Sequence, residues 1–374
     1  FLYLQKAVKE GKVSMERLDE AVINLFTTRM KLGILEPSTE TVYSPIGYEN
    51  VDSIKHRELN LKASQKSIVL LKNKDNLLPL NKEKIKTIGI IGPNANNRKC
   101  LVGNYEGTAS RYITITEGIQ DYVGDEVRVY YSEACHLFKD NVSGLGNRND
   151  RISEVKGICE KSDVIIACMG LDSGLEGEEG DIGNEFASGD KPNLNLPGRQ
   201  QDVLKALYES GKPVVLILLS GSALAIPWAE ENIPAILQGW YPGAQGGKAI
   251  ASILFGESSP EGKLPITFYR TTEELPEFTD YSMENRTYRY MKHSPLYPFG
   301  YGLSYTSFQV DNIELEQDTI EKNSEIKISA DVTNTGSYKS AETLQIYIKI
   351  QREGSPNPQL KAFQKVNMDI GETK

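Results

Sequence analysis

Between Ile85 and Gly256 the chain alternates apolar runs of strand length with stretches of helical period, and this alternation constrains the fold more than any other feature. "IKTIGIIG" (85–92), "EVRVYYS" (126–132), "DVIIACMG" (163–170), "PVVLILLSG" (213–221) and "PAILQGW" (234–240) read as strands. Helical pieces around Val155 to Lys161, in "GRQQDVLKALYESG" (198–211) and in "GGKAIASILFG" (246–256) fall among and after them. The third and fourth runs are apolar without interruption, as strands covered on both faces are. Strand–helix–strand repeats of this kind predict an α/β fold, a mostly parallel sheet sandwiched by helices.

The flanks obey other rules. Residues 14–33 predict one helix, with Ser14 as N-cap, Leu18, Ala21, Val22, Leu25 and Phe26 on one face, and Gly33 as the stop. Such a helix must pack against something, and the rest of its domain is expected upstream of Phe1. A polar stretch then reads as linker, over 38–60, before the α/β domain at 61–269. Residues 270–300 are rich in Pro, Tyr, Glu and Arg and read as a linking loop. From 301 to 374 the period changes to two: "SEIKISADVTNTG" and "ETLQIYIKI" alternate apolar and polar residues. That pattern predicts an antiparallel β sandwich with one wet face per sheet. About four strands are visible, roughly half of what such sandwiches use, so this domain is expected to be incomplete.

Bulk properties exclude several classes. A chain of 374 residues has room for about two or three domains. The formal net charge of −9, with Lys and Arg dispersed, argues against nucleic acid and anionic membrane as partners. No apolar run is long enough to span a bilayer. Cys100, Cys135, Cys159 and Cys168 lack both the density of a disulfide scaffold and any CxxC spacing. His56, His136 and His293 are too scattered to suggest zinc or a Ser-His pair. The first residue reads as mid-domain, which leaves export open, with the cytoplasm as the default reading.

One loop stands out. "LDSGLEGEEGD" (171–181) is crowded with carboxylates and punctuated by Gly174, Gly177 and Gly180, so it reads as a mobile acidic loop. It follows directly on a strand, and in parallel α/β sheets the loops at the carboxyl ends of strands carry ligand sites. Glycines let backbone approach a ligand, and crowded carboxylates raise one another's pKa, which suits a general acid. From spacing alone the run serves equally as a solvated charged loop. A calcium cage fits less well, because the D-x-[DN]-x-[DN]-G spacing and the closing Glu of an EF-hand are missing. "IGIIGPNANN" (88–97) resembles a dinucleotide turn only superficially: it is not G-x-G-x-x-G, and Pro93 removes an N–H that a phosphate would need. "GNYEGTASRY" (103–112) sets tyrosines and an arginine among glycines, which suits a sugar ring and a core turn equally.

Several motifs together carry a resemblance. "LDEAVINLFTTRMKLGIL", "KASQKSIVLLKNKDNLLPL", "IGIIGPNA", "LVGNYEG", "GLDSGLEGEEGD", "LPGRQQDVLKAL", "GWYPGAQGGKAIASILFGESSPEGKLPITF", "NRTYRYM" and "PFGYGLSYTSF" follow one another as they do in family 3 glycoside hydrolases, the β-glucosidases and β-xylosidases. The chain resembles the C-terminal portion of that family. The resemblance implies a (β/α)₈ barrel whose last helices are residues 1–37, an α/β sandwich lending an acid/base glutamate, and a fibronectin type III-like domain. The nucleophilic aspartate would lie upstream, and no residue here matches its motif. In the β-xylosidase-like branch the acid/base residue sits in an I-E-A-E pattern after G-L-D, which falls here on Glu178. A second glutamate, Glu179, and a longer stretch before "LNLPGRQQ" depart from the pattern, and an alignment shifted by one residue selects Glu179. "LPGRQQ", "GNYEG" and "NRTYRYM" look more like the β-xylosidase branch, and Tyr105 would line the sugar pocket.

The resemblance therefore implies an exo-acting retaining β-glycosidase that needs no cofactor and no metal, acts on an oligosaccharide or aryl β-glycoside, and forms a homodimer in keeping with the family. The alternative from another class is a non-catalytic sugar-binding or structural module.

Overall fold

The uninterrupted apolar runs become the centre of a six-stranded sheet. The computed structural model describes residues 3–35, 41–140, 151–177, 191–321 and 324–374. The strands are β1 (Val69–Asn73), β2 (Thr87–Ile91), β3 (Arg128–Ser132), β4 (Val164–Gly170), β5 (Val214–Leu219) and β6 (Ala235–Gln238). Their spatial order is β1-β6-β5-β4-β2-β3. β2 to β6 run parallel, and β1 joins the edge antiparallel to β6. The fold is thus mixed α/β with a mostly parallel sheet.

Every residue of β4 and β5 is buried. Ile165, Ala167 and Met169 meet Val214, Leu216 and Leu218 on one face, while Val164, Ile166 and Cys168 meet Val215, Ile217 and Leu219 on the other. Alternate side chains of a strand point to opposite faces, so a run apolar at every position needs cover on both. Helices α5 (Ile152–Lys161), α6 (Gln200–Glu209) and α7 (Pro227–Asn232) supply Val155, Leu204 and Ala229 to the first face. Helices α4 (Ile115–Val123) and α8 (Gly246–Leu254) supply Ile119 and Ile250 to the second. Each fully buried aliphatic side chain contributes about 1.5–3 kcal/mol.

By contacts the chain divides into two units, Phe1–His56 and Arg57–Lys374. The first holds α1 (Leu4–Lys9) and α2 (Met15–Lys31). Ser14 caps α2 as expected, its Oγ accepting the Arg17 N–H at 3.1 Å. No residue of α1 or α2 is buried, and Val22, Leu25 and Phe26 are exposed. Helix α3 (Ile54–Ser67) begins inside the stretch read above as linker.

Within the second unit, residues 270–300 contain a single short α-helix, α9 (Thr287–Tyr290). Beyond it, β7 (Phe308–Leu315) pairs with β8 (Ile328–Asn334), and β9 (Ser340–Ile348) pairs with β10 (Gln359–Met368), both antiparallel. The Leu303 N–H donates to the Leu70 carbonyl at 2.8 Å, covering the outer edge of β1. Glu261 lies between Lys66 at 2.9 Å and Lys365 at 3.0 Å, bridging α3 and β10. Burial pushes the Glu261 carboxyl up, but its two ammonium partners outweigh burial and hold it below the usual range.

All four cysteines are buried and unpaired in disulfides. Burial pushes the thiols of Cys100 and Cys135 up to about 12, and those of Cys159 and Cys168 upward too. Since the thiolate is the reactive form, the native chain is expected to stay unlabelled by a thiol reagent over minutes. Denaturant should expose all four thiols together. Rapid labelling of any of them in native buffer would contradict this burial.

Candidate functional site

The sheet order places a topological switch beside β2. From β2 the chain moves outward to β3 and then returns to form β4 on the other side of β2. The carboxyl ends of β2 and β4 thus flank a switch point, the usual place for a ligand in an open α/β sheet. The loop after β2 begins at Gly92, and the loop after β4 is the acidic one. Two asparagines join them. Asn94 Nδ2 donates to the Leu171 carbonyl at 2.7 Å, and Asn104 Nδ2 donates to the Glu176 carbonyl at 3.3 Å.

The described half of the acidic loop, 171–177, is a packed turn rather than the mobile run expected from its composition. Leu171 and Leu175 enter the core, at 1% and 2% exposure. Asp172 is also buried, and its Oδ1 accepts the N–H groups of Gly174 at 3.0 Å and Leu175 at 3.2 Å. Composition misleads here because two leucines anchor the loop and its first carboxylate serves as a backbone acceptor. Behind it, buried Gln200 at the start of α6 accepts the Gly170 N–H at 2.7 Å and donates to the Gly170 carbonyl at 2.8 Å. That pair fixes the point where β4 becomes the loop.

Glu176 is the focus of the site. Its Oε2 accepts the Gly221 N–H at 2.6 Å and the Tyr241 hydroxyl; its Oε1 accepts the Ser222 hydroxyl. Lys191 stands 4.0 Å from Oε1 and donates to the Ala223 carbonyl at 2.7 Å. Gly221 and Ser222 follow β5, and Tyr241 follows β6, so one side chain gathers the carboxyl ends of two further strands. Burial and the adjacent carboxylate push the Tyr241 hydroxyl far above its usual range, so it remains a donor. Burial pulls the Lys191 ammonium down, and Glu176 opposes that.

Glu178 and Glu179 lie outside the described residues. Tyr105 is 86% exposed, with a left-handed backbone at φ 62°, in the loop whose Asn104 touches the acidic turn. The loops bearing "GNYEG" and "GLDSGLEG" are therefore joined. Sequence reading missed the partners of Glu176; the signal for them was their place directly after strands β5 and β6. Among the described residues, no group of three or more His, Cys, Asp or Glu side chains is placed to hold a metal ion. Among the same residues, no helix is long and apolar enough to cross a membrane.

A carboxylate held at the carboxyl ends of β5 and β6, beside the switch of a mostly parallel sheet, is the feature that marks this mixed α/β domain. The family description "Glycosyl hydrolase family 3 C-terminal domain" matches residues 68–305, and the chain belongs to that family. It is 32% identical to a β-xylosidase of Formosa agariphila, covering 99% of this chain and 51% of the relative. It is also 32% identical to a periplasmic β-glucosidase of Salmonella typhimurium, over 100% of this chain and 51% of that protein. Among solved structures, the β-glucosidase EmGH1 of Erythrobacter marinus superposes with a TM-score of 0.83 at 30% identity, covering all of this chain and 51% of the other. The chain thus spans about half the length of the relatives it matches.

Proposed function

We propose that this chain is the acid/base half of an exo-acting retaining β-glycosidase. Glu178 donates a proton to the glycosidic oxygen while an aspartate supplied from outside these 374 residues attacks the anomeric carbon. Glu178 then deprotonates the water that hydrolyses the glycosyl-enzyme. In such enzymes the two carboxyl groups stand about 5–5.5 Å apart. The observation that carries this reading is the acidic turn at the sheet switch, fixed through Glu176 two residues before Glu178 in a family 3 chain. Glu179 is the second choice for the role, and Tyr105 is proposed to line the sugar pocket.

On the same reading residues 1–37 close a (β/α)₈ barrel, 38–60 link it to the α/β domain at 61–269, 270–300 is a second linker, and 301–374 belongs to a fibronectin type III-like domain. The exposed face of α2 supports the first assignment, since a helix bearing Val22, Leu25 and Phe26 needs a partner. The antiparallel pairs β7–β8 and β9–β10 support the last. The substrate is a terminal β-linked xylose or glucose in an oligosaccharide or an aryl glycoside, and "LPGRQQ", "GNYEG" and "NRTYRYM" look more like the β-xylosidase branch.

A retaining mechanism needs two carboxylates and this chain is assigned one. The purified 374-residue chain is therefore expected to release no nitrophenol from nitrophenyl β-xyloside or β-glucoside, whereas protein from the complete reading frame should turn over and retain anomeric configuration by NMR. Turnover by the chain alone, or inversion by the complete protein, would refute the assignment.

A further inference from the structure

The partners of Glu176 exceed what holding one loop in place requires. Its side chain is only 13% exposed, and its two oxygens accept from a backbone N–H and two hydroxyls, with an ammonium 4.0 Å away. These donors come from three separate segments: the Gly221–Ser222 turn, Tyr241 and Lys191. Each is attached to the rigid carboxyl end of the sheet or, for Lys191, to the Ala223 backbone. Charge-assisted hydrogen bonds of this kind are strong and directional. The Glu176 backbone is held as well, by Asn104 Nδ2 on its carbonyl at 3.3 Å and by its own N–H to the Asp172 carbonyl at 3.3 Å. Glu176 is thus fixed at both ends, main chain and carboxylate.

Glu178 follows two residues later, and two residues of chain reach no more than ~7 Å. Resting on the role proposed for Glu178, we infer that Glu176 is a positioning residue: its carboxylate, bound by Gly221, Ser222 and Tyr241, sets where the acid/base carboxyl meets the glycosidic oxygen. Glu176 transfers no proton itself. Both of its oxygens are engaged by Gly221, Ser222 and Tyr241.

The test uses protein from the complete reading frame and reads kcat/KM, which reports the glycosylation step. Two substrates are compared: an alkyl or disaccharide glycoside with a poor leaving group, and a 2,4-dinitrophenyl glycoside that needs little protonation. A misplaced acid costs about 10²-fold where geometry matters. Glu176→Ala should therefore lose about that much on the poor leaving group and much less on the activated one. Glu176→Gln should recover part of the loss, since an amide oxygen can still accept from Gly221 and Tyr241. Tyr241→Phe should show the same selectivity at smaller size, and it decides the matter if Glu176→Ala fails to fold. Equal losses on both substrates, or full activity in Tyr241→Phe and Glu176→Gln alike, overturn the inference. If Glu178→Ala shows leaving-group selectivity while the Glu176 and Tyr241 variants do not, only the positioning role fails. If Glu178→Ala lacks that selectivity, the acid/base assignment fails first.

Discussion

Glu178→Ala, in protein from the complete reading frame, is expected to lower kcat/KM on glycosides with poor leaving groups by about 10²–10⁴-fold, the usual worth of a positioned general acid. Dinitrophenyl glycosides should lose far less at that step, because their leaving oxygen departs without a proton. The same variant also lacks the base for the second step. On the activated substrate the glycosyl-enzyme should therefore accumulate, seen as a burst of phenol followed by slow turnover. Added azide, which needs no base to attack, should restore turnover and release a glycosyl azide. Mass spectrometry of the trapped protein and product analysis with azide check both points. Glu179→Ala is the control, expected to retain most activity on both substrates. If Glu179→Ala carries the selectivity and the azide rescue instead, the role moves by one residue.

How much of this was legible in the sequence depended on how local the physics was. β4 and β5 were plain because burial on both faces writes an unbroken apolar run into the chain. α2 was plain because Ser14 and a 3.6-residue period mark it. β1 was not read as a strand: it is five residues long, follows a helix with little separation, and is held by antiparallel pairing to β6 far along the chain. α4 was missed although its capping box, Thr114 with Glu117, stands in the sequence as T-x-x-E. The acidic loop was legible by position, after a strand of a parallel sheet. The role of Glu176 within it was not, because its acceptor chemistry is completed by residues 45, 46 and 65 positions away. Composition read the loop as mobile, with a solvated surface one of its open alternatives; in the described half, 171–177, the buried Leu171 and Leu175 make a packed turn.

The second large effect is expected at Gly170, where the core strand β4 turns into the acidic loop. Its φ is +133°, a conformation that side-chain-bearing residues rarely adopt, and an added Cβ would lie 2.0 Å from the Leu219 carbonyl oxygen of β5. That oxygen cannot retreat, since β5 is buried on both faces and the same carbonyl accepts the Leu171 N–H at 2.7 Å. Gly170→Ala therefore meets two penalties, backbone strain of about 1–3 kcal/mol and overpacking of about 1–3 kcal/mol. Gly211, past the end of α6, separates them: its φ is +70°, but nothing lies within 4 Å of the position a Cβ would take. Gly211→Ala should cost only about 1 kcal/mol, the strain alone. In denaturant titrations Gly170→Ala should accordingly lose about 2–6 kcal/mol, several times the loss at Gly211, with little change in m. Because Gly170 is bonded through both its N–H and its carbonyl to Gln200, the displaced strand end also carries the acidic turn with it. A folded fraction of Gly170→Ala, assayed well below its melting temperature, should thus show the leaving-group selectivity expected of a misplaced acid, whereas Gly211→Ala should not. Equal stability losses in the two variants would mean that β5 yields to the new methyl group and that the end of β4 is softer than its packing implies.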